Sequence, residues 1–279
     1  MVTFNNFFDN KNIVLKDQLG CFNVYEHQAD LSVTPGSAAI AYYMKEMNVR
    51  KRQILCNLQG NAVKIQAGAM QWTTGNIQMD SGVHSVGSFL GKALKGAVTG
   101  ESVAKPIYGG VGFLMLEPTY RHIILVNTAD WGGGIVLDDG LFLACDNVLQ
   151  EQIVKRNSLA SAVVGGEGLF NLSLIGNGVV ALESAIPREE LIEIVLENDE
   201  IRIDGNMAIA WSPSLQFTSE KSTKSLIGSA VSGEGFVNVF RGTGKILMAP
   251  TADGTTMRTS NGPQQQSSSG LGAIAKAFG

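Results

Sequence analysis

The residues of this chain that could perform chemistry are few and lie far apart. The histidines His27, His84 and His122 are spaced in a way that matches no metal-binding motif, so we predict no metal site. Residues 100–104 approach the turn that presents a nucleophilic serine, with Ser102 at the centre, but the final glycine of that motif is absent. The sequence therefore predicts no catalytic residue and no cofactor, and we interpret the protein as a non-enzyme.

Two glycine-rich segments match nucleotide-binding loops in some of their letters. Residues 242–245 read Gly-Thr-Gly-Lys, but the first glycine of a phosphate loop and the hydroxyl residue after the lysine are absent. Residues 176–181 match the dinucleotide fingerprint, but the apolar run continues as in a strand, so no helix N-terminus faces a pyrophosphate. We interpret both segments as turns.

The charge of the chain disfavours nucleic acid as a partner. The formal net charge is −4, and charged residues make up 16% of the chain, against about 25% in a typical soluble domain. We interpret the main basic run, residues 50–52, as a solvated strand end, with RNA binding as the alternative. A low content of charge is also typical of surfaces that proteins bury against each other.

Cysteine usage and the N-terminal segment indicate a cytoplasmic protein. Cys21, Cys56 and Cys145 are odd in number and widely spaced, which argues against a disulfide framework and for buried reduced thiols. Residues 1–18 lack a basic region followed by an apolar run, so we predict that they are not a signal peptide. We predict a cytoplasmic location, and peripheral contact with a membrane stays open.

The elements that would position these residues are predicted to be short antiparallel strands. Residues 169–174 alternate apolar and polar side chains with a period of two, as a half-buried strand does. The Asp-Gly and Asn-Gly dipeptides at 139–140, 177–178 and 204–205 have the chemistry of two-residue hairpin turns. Further segments interpreted as apolar-rich strands are 38–47, 54–58, 63–67, 113–116, 122–126, 134–137, 179–182, 191–196, 200–203, 207–211 and 237–240.

A recurring glycine motif indicates duplicated units. Gly-Val-Gly at 110–112 returns as Gly-Glu-Gly at 166–168 and at 233–235, followed each time by a predicted strand. Trp72 and Trp211 stand at comparable places in their units, and we interpret them as core or rim anchors and as candidate contacts for self-association or a partner. The predicted fold class is all-β, with duplicated antiparallel β-sandwich or double-stranded β-helix units and short helical connections.

The C-terminal segment differs from the rest. Residues 254–270 are polar and rich in Gln and Ser, which is typical of a flexible linker. Leu271, Ile274 and Phe278 would form one stripe of a short amphipathic helix, and they are candidate contacts for a protein partner or a membrane surface. The predicted parts are an N-terminal arm (1–23), a first β unit with a helical connection at 83–98 (24–105), duplicated β units packed with the first (106–252) and the tail (253–279).

Several short motifs together carry a family resemblance. Residues 68–72 read Gly-Ala-Met-Gln-Trp, residues 242–247 read Gly-Thr-Gly-Lys-Ile-Leu, and the Gly-Glu-Gly strands lie between them. With the lysine and glycine residues of 92–102, they resemble the altered-inheritance-of-mitochondria family, namely its twenty-fourth member and bacterial homologues. The resemblance implies a fold of the tryptophan RNA-binding attenuator-like superfamily and a homotrimer of pseudo-sixfold form, and it supplies no catalytic residue.

We therefore expect a non-catalytic, self-assembling β scaffold or binding protein that supports a membrane-associated or larger assembly. The alternative is a small-ligand-binding or hydrolytic β-barrel that uses His122 or Glu101 in a pocket. The position of the three histidines relative to carboxylates distinguishes these two interpretations.

Overall fold

Three antiparallel sheets and one α-helix make up the described part of the chain, in a computed structural model that describes residues 2–81, 105–155, 170–204, 207–221 and 236–251. The helix, α1, spans Ala38–Glu46. The strands are β1 (Ile13–Leu19), β2 (Phe22–His27), β3 (Arg52–Asn57), β4 (Ala62–Ile65), β5 (Met70–Thr73), β6 (Asn76–Asp80), β7 (Ile107–Val111), β8 (Phe113–Leu116), β9 (His122–Asn127), β10 (Gly134–Leu137), β11 (Phe142–Asp146), β12 (Gln150–Lys155), β13 (Phe170–Ile175), β14 (Val179–Ser184), β15 (Ile192–Asp204), β16 (Ala208–Trp211), β17 (Gln216–Lys221) and β18 (Phe236–Met248).

Each sheet takes its strands from distant parts of the chain. The first sheet has the order β1-β2-β3-β8-β5 and the second the order β6-β7-β4-β11-β14-β9. The third has the order β12-β13-β10-β16-β18-β15, with β17 also paired to β18. Strands dominate the described residues, so the prediction of an all-β fold is confirmed. Over these residues all three sheets stay open, and none of them is a closed barrel. We predicted a boundary between units at residue 105. Strands from the two sides of this boundary pair with each other, because β8, which follows it in the sequence, lies between β3 and β5, which precede it.

The second sheet is the middle layer of the fold. Ala181 of β14 packs in one core cluster with Phe22 and Ile54 of the first sheet. The next residue, Leu182, packs in another cluster with Leu174 of the third sheet. Because successive side chains of a strand face opposite sides, both faces of the second sheet are covered. This explains why β11 and β14 are apolar along nearly their whole length without alternation.

The third sheet has apolar contacts on its other face as well. Trp211 of β16 lies with its ring centroid 5.3 Å from those of Phe217 and Phe240, in a separate core cluster. Leu196 and Ile203 of β15 belong to the same cluster. The long antiparallel pair β15–β18 therefore supplies side chains that bury these rings.

One predicted strand is wrong, since residues 38–46 form α1. The segment is rich in alanine, the residue with the highest helix propensity, and its apolar residues run without the alternation that a half-buried strand shows. Asn48 ends the turn after the helix with a positive φ of 61°, a conformation that asparagine tolerates better than most residues.

Two of the predicted hairpin turns are also wrong, although the chain does turn at both places. The turn at 177–178 joins β13 of the third sheet to β14 of the second, and the turn at 139–140 joins β10 of the third sheet to β11 of the second. The third predicted turn, at 204–205, includes Gly205, which lies outside the described residues; β15 and β16 on its two sides are separated in the sheet by β18. Turn residues fix the chain reversal but not which sheet receives the next strand.

Some predicted features lie outside the described residues. These are the helical connection at 83–98, the glycine motifs at 166–168 and 233–235, and the tail from residue 253 onward. The glycine motif at 110–112 is described, and Gly110 and Gly112 have φ of 129° and 152°.

Candidate self-association surface

The helix α1 is the most exposed apolar element among the described residues. None of its residues is buried. Ile40, Tyr42 and Tyr43 are 63%, 59% and 67% exposed, and Met47, directly after the helix, is 76% exposed. We call these four side chains the α1 surface. The predicted strand over residues 38–47 concealed this surface, and the alanine-rich composition of the segment is the signal that points to an exposed helix instead.

A buried ion pair fixes the chain at the base of α1. Arg52 and Glu26 are both buried, and the guanidinium Nε donates to Glu26 Oε2 at 2.9 Å. Arg52 Nη2 also donates to the Asn48 carbonyl at 3.1 Å and to Asn48 Oδ1 at 2.8 Å. Because Asn48 lies in the turn after the helix, Arg52 ties the end of α1 to the first sheet.

The other two members of the basic run are paired as well. Arg50 Nη1 lies 3.3 Å from Glu26 Oε1, and Lys51 Nζ lies 3.1 Å from Asp30 Oδ1. Tyr120 donates a hydrogen bond of 2.8 Å to Asp30, and this bond, with that from Lys51, holds the pKa of Asp30 below its usual range. The prediction of a solvated strand end is wrong for Arg52, which is buried. Paired cations offer little to phosphate, so the run does not favour RNA binding.

The two described histidines have different surroundings. His27 Nε2 is 3.1 Å from Gln53 Oε1. Burial lowers the pKa of His122 and the positive charge of Arg52 lowers it further, while the negative charges of Glu189 and Glu26 oppose this to a smaller extent. His84 and Glu101 lie outside the described residues. Within the described ranges, no three His, Cys, Asp or Glu side chains are grouped to hold a metal ion.

The three cysteines are buried free thiols, as predicted. Burial raises the pKa of Cys145 to about 12 and raises the pKa of Cys56 well above its usual value. Since the thiolate is the reactive form of cysteine, the raised pKa values keep the thiols of Cys56 and Cys145 protonated at neutral pH.

The two tryptophans have different surroundings. Trp211 is buried in the core of the third sheet, in the position of a core anchor and not of a rim anchor. Trp72 is half-buried on β5 and stacks on Phe4, with ring centroids 4.7 Å apart. Phe8, which is 53% exposed, contacts Phe4 edge to face. Trp72 therefore belongs to an aromatic cluster that the N-terminal segment lays over the first sheet. The other candidates, Leu271, Ile274 and Phe278, lie outside the described residues.

A second apolar surface lies at the edge of the third sheet. β15 is the last strand of this sheet in the described structure and pairs with β18 alone. Ile192 and Val195 on β15 are 45% and 58% exposed. A strand edge with free backbone groups and exposed apolar side chains can pair with another chain. We call this the β15 edge.

These observations define an all-β protein of three stacked layers with two exposed apolar surfaces. The sequence pattern of the family described as Mitochondrial biogenesis AIM24 matches residues 46–251, and the chain belongs to this family. An uncharacterised protein of Streptococcus pyogenes serotype M6 is 30% identical over 197 residues, which are 68% of this chain and 77% of that protein.

A solved structure has a similar fold. The crystal structure of a Streptococcus pyogenes protein matches this chain with a TM-score of 0.54 and 26% identity, covering 74% of this chain and 90% of that one. The predicted resemblance to the family and its bacterial members is therefore confirmed. Among the described residues, no helix has the length and apolar character needed to cross a membrane.

Proposed function

We propose that this chain is a non-catalytic, self-assembling β scaffold that forms a homotrimer through α1. One observation carries the proposal: the helix has no buried residue, and the α1 surface presents four large apolar side chains. A nine-residue helix is marginal on its own in water, so an apolar cover would stabilise it. The partner that we assign to this surface is a second copy of the chain.

The chemistry of α1 favours a protein surface over an ion or a small ligand. Lys45 and Glu46 are the charged residues of the helix, and they pair with each other at 3.7 Å. The remaining surface is apolar and aromatic, and aromatic residues and methionine are enriched at protein interfaces. The hollow between α1 and the first sheet, at about 40 Å³, is far below the roughly 300 Å³ of a small ligand site.

Two different apolar surfaces support a head-to-tail arrangement. The α1 surface and the β15 edge lie on different elements, so an interface between them would be heterologous. A heterologous interface leaves one surface of each kind free until a ring closes. Three copies is the number that the family resemblance implies. The pseudo-sixfold form would follow if the chain is internally duplicated, as in the tryptophan RNA-binding attenuator-like superfamily.

The energies also favour a closed ring over an open dimer. Full burial of the four side chains of the α1 surface contributes on the order of 6–12 kcal/mol, at about 1.5–3 kcal/mol each. Association costs about 4–15 kcal/mol in lost freedom. A single interface is therefore close to balance. Closure of a trimer adds a third interface without bringing in another free chain.

The oligomeric mass tests the proposal. Light scattering on the full chain should give three times the chain mass of 29.7 kDa. The double variant Ile40→Glu/Tyr43→Glu places two charges on one face of α1 and should shift the mass to that of one chain, with an unchanged far-ultraviolet dichroism spectrum. Val111→Glu is the matched control, since Val111 is 62% exposed on β7, outside both surfaces. A wild-type mass of one chain, or a double variant of wild-type mass, would overturn the proposal.

We also propose that the protein is cytoplasmic and that its tail contacts a protein partner or a membrane surface. Leu271, Ile274 and Phe278 would make that contact, and three tails on one trimer would act together. A chain that ends at Asp253 should keep its oligomeric mass and lose co-sedimentation with phosphatidylcholine–phosphatidylserine vesicles. Equal co-sedimentation of the full and shortened chains would show that the tail makes no contact with a membrane surface.

A further inference from the structure

A polar cleft of about 600 Å³ opens where turns of the first and second sheets meet. Its walls come from three connections: β1 to β2 at Gly20, β3 to β4 at Gln59 and Gly60, and β11 to β12 at Asn147. The volume lies within the range of about 300–1,000 Å³ that small-molecule sites occupy. The cleft contains none of the residues of the α1 surface or the β15 edge.

Hydrogen bonds between the three turns fix the shape of the cleft. The Asn57 N–H donates to the Cys21 carbonyl at 2.9 Å, which joins the first turn to the second. The Asn147 N–H donates to the Ala62 carbonyl, also at 2.9 Å, which joins the second turn to the third. The walls are therefore held in place before any ligand arrives, which lowers the entropic cost of binding.

Carboxamides dominate the lining. Of the carboxamides that line the cleft, Asn23 alone has internal hydrogen bonds within the described part of the chain, donating to the carbonyls of Cys21 at 3.2 Å and Leu55 at 3.1 Å. The other carboxamides have no hydrogen-bond partner within the described part of the chain, although two of them are half-buried. The full set is Gln18, Asn23, Asn57, Gln59, Asn61 and Asn147.

Asp146 is the one charged residue of the lining. Its Oδ2 accepts a hydrogen bond of 2.8 Å from the Val179 N–H, and the Cys21 thiol lies 3.9 Å from its Oδ1. Burial raises the pKa of this carboxyl group. An anionic ligand would meet this carboxylate without a cationic side chain in the lining to offset it, so phosphate and carboxylate ligands are disfavoured.

The balance of donors and acceptors defines the ligand. A carboxamide offers two N–H donors and one carbonyl acceptor. A cation would leave the N–H donors of the lining unpaired, and an apolar ligand would leave the donors and the carbonyl acceptors unpaired. Each unpaired group costs binding free energy. Hydroxyl groups donate and accept, so a polyhydroxyl ligand matches the lining. We infer that this cleft binds a neutral saccharide, with Asn57, Asn147 and Asp146 as its principal hydrogen-bonding groups.

Saturation-transfer NMR on the full chain tests this inference. The probes are maltose, lactose and N,N′-diacetylchitobiose, with glucose 6-phosphate and methylammonium as the anionic and cationic comparators. We expect transfer to at least one disaccharide and none to either comparator. Asn57→Ala and Asn147→Ala should each weaken that disaccharide by about 3- to 10-fold, the effect of losing one neutral hydrogen bond. Asp146→Asn should weaken it at least as much, since it removes a charged acceptor.

Gln216→Ala is the matched control, because Gln216 is an exposed carboxamide on β17 of the third sheet. It should leave the affinity unchanged, and a wild-type far-ultraviolet dichroism spectrum with a cooperative thermal transition above the assay temperature shows that each cleft variant is folded. Three results would overturn the inference: no transfer to any disaccharide, equal transfer to a comparator, or transfer that none of the cleft variants reduces. The oligomeric mass is measured separately, so failure here leaves the trimer proposal untouched.

Discussion

The buried pair between Arg52 and Glu26 gives the sharpest prediction about stability. Arg52→Met keeps most of the side-chain volume and removes five hydrogen bonds, those to Glu26, to the carbonyl and side chain of Asn48, and to the carbonyls of Arg50 and Arg121. It leaves Glu26, whose side chain is 3% exposed, with Arg50 as its remaining cationic partner at 3.3 Å. Removing one member of a buried pair costs about 3–5 kcal/mol. We expect a loss of this size in the free energy of unfolding.

The assay is urea denaturation of the wild type and the variants at one protein concentration. The double variant Glu26→Met/Arg52→Met should recover most of the loss, since a pair of apolar side chains of similar volume leaves no unpaired buried charge. Lys51→Met is the matched control, because the pair of Lys51 with Asp30 is partly exposed and such pairs contribute about 0.2–1 kcal/mol. Arg52→Met should also speed tryptic cleavage after Lys45, since the base of α1 loses its tie. A loss below about 1 kcal/mol, or a double variant no more stable than the single one, would refute the reasoning.

Three further predictions concern single residues. Trp211→Ala should lower the free energy of unfolding by about 3–5 kcal/mol, because the ring is buried. Trp72→Ala should lower it clearly less in the same urea experiment, because Trp72 is half-buried. Equal losses would contradict the difference in burial between the two rings. Gly60→Ala should cost roughly 1–2 kcal/mol of left-handed strain, because the space around Gly60 is open. Gly112→Ala should cost more, because a Cβ at Gly112 would also collide with the Thr74 carbonyl. Thermal midpoints of the two variants test this order. Burial raises the pKa of Asp146 above 3.8, so its contribution to stability is present below 3.8 and is lost as pH rises through the raised value. The free energy of unfolding of Asp146→Asn, relative to that of the wild type, should therefore increase from pH 3.8 towards neutrality. A difference between the two proteins that does not change with pH would contradict this.

Strand positions were predictable because local composition sets them. The predicted segments 113–116 and 134–137 coincide with β8 and β10 residue for residue. Where burial is two-sided, as at Val179 to Leu182, an apolar run alone identifies the strand. The same criterion failed at residues 38–47, because an apolar run is equally compatible with a helix, and alanine content decided the outcome.

The pairing of strands could not be predicted, and neither could the candidate sites. The Asp-Gly turn at 139–140 specifies a reversal, yet the next strand joins another sheet because long-range burial decides its place. The pairing of Arg52 with Glu26 and the meeting of Asn57 with Asn147 in one cleft each join residues that are distant in sequence. A side chain such as Asn57 carries no local pattern that separates a cleft residue from an ordinary turn residue.

The position of β8 in the first sheet has a consequence for how the chain folds during synthesis. β3 and β5 both pair with β8, which follows β5 by about forty residues in the sequence. Until β8 leaves the ribosome, the apolar edge of β3 has no native partner, and at about 5–20 residues per second that interval lasts for seconds. Exposed strand edges of this kind pair with one another between chains. The nascent N-terminal half is therefore the stage at which chaperone protection matters most for this protein.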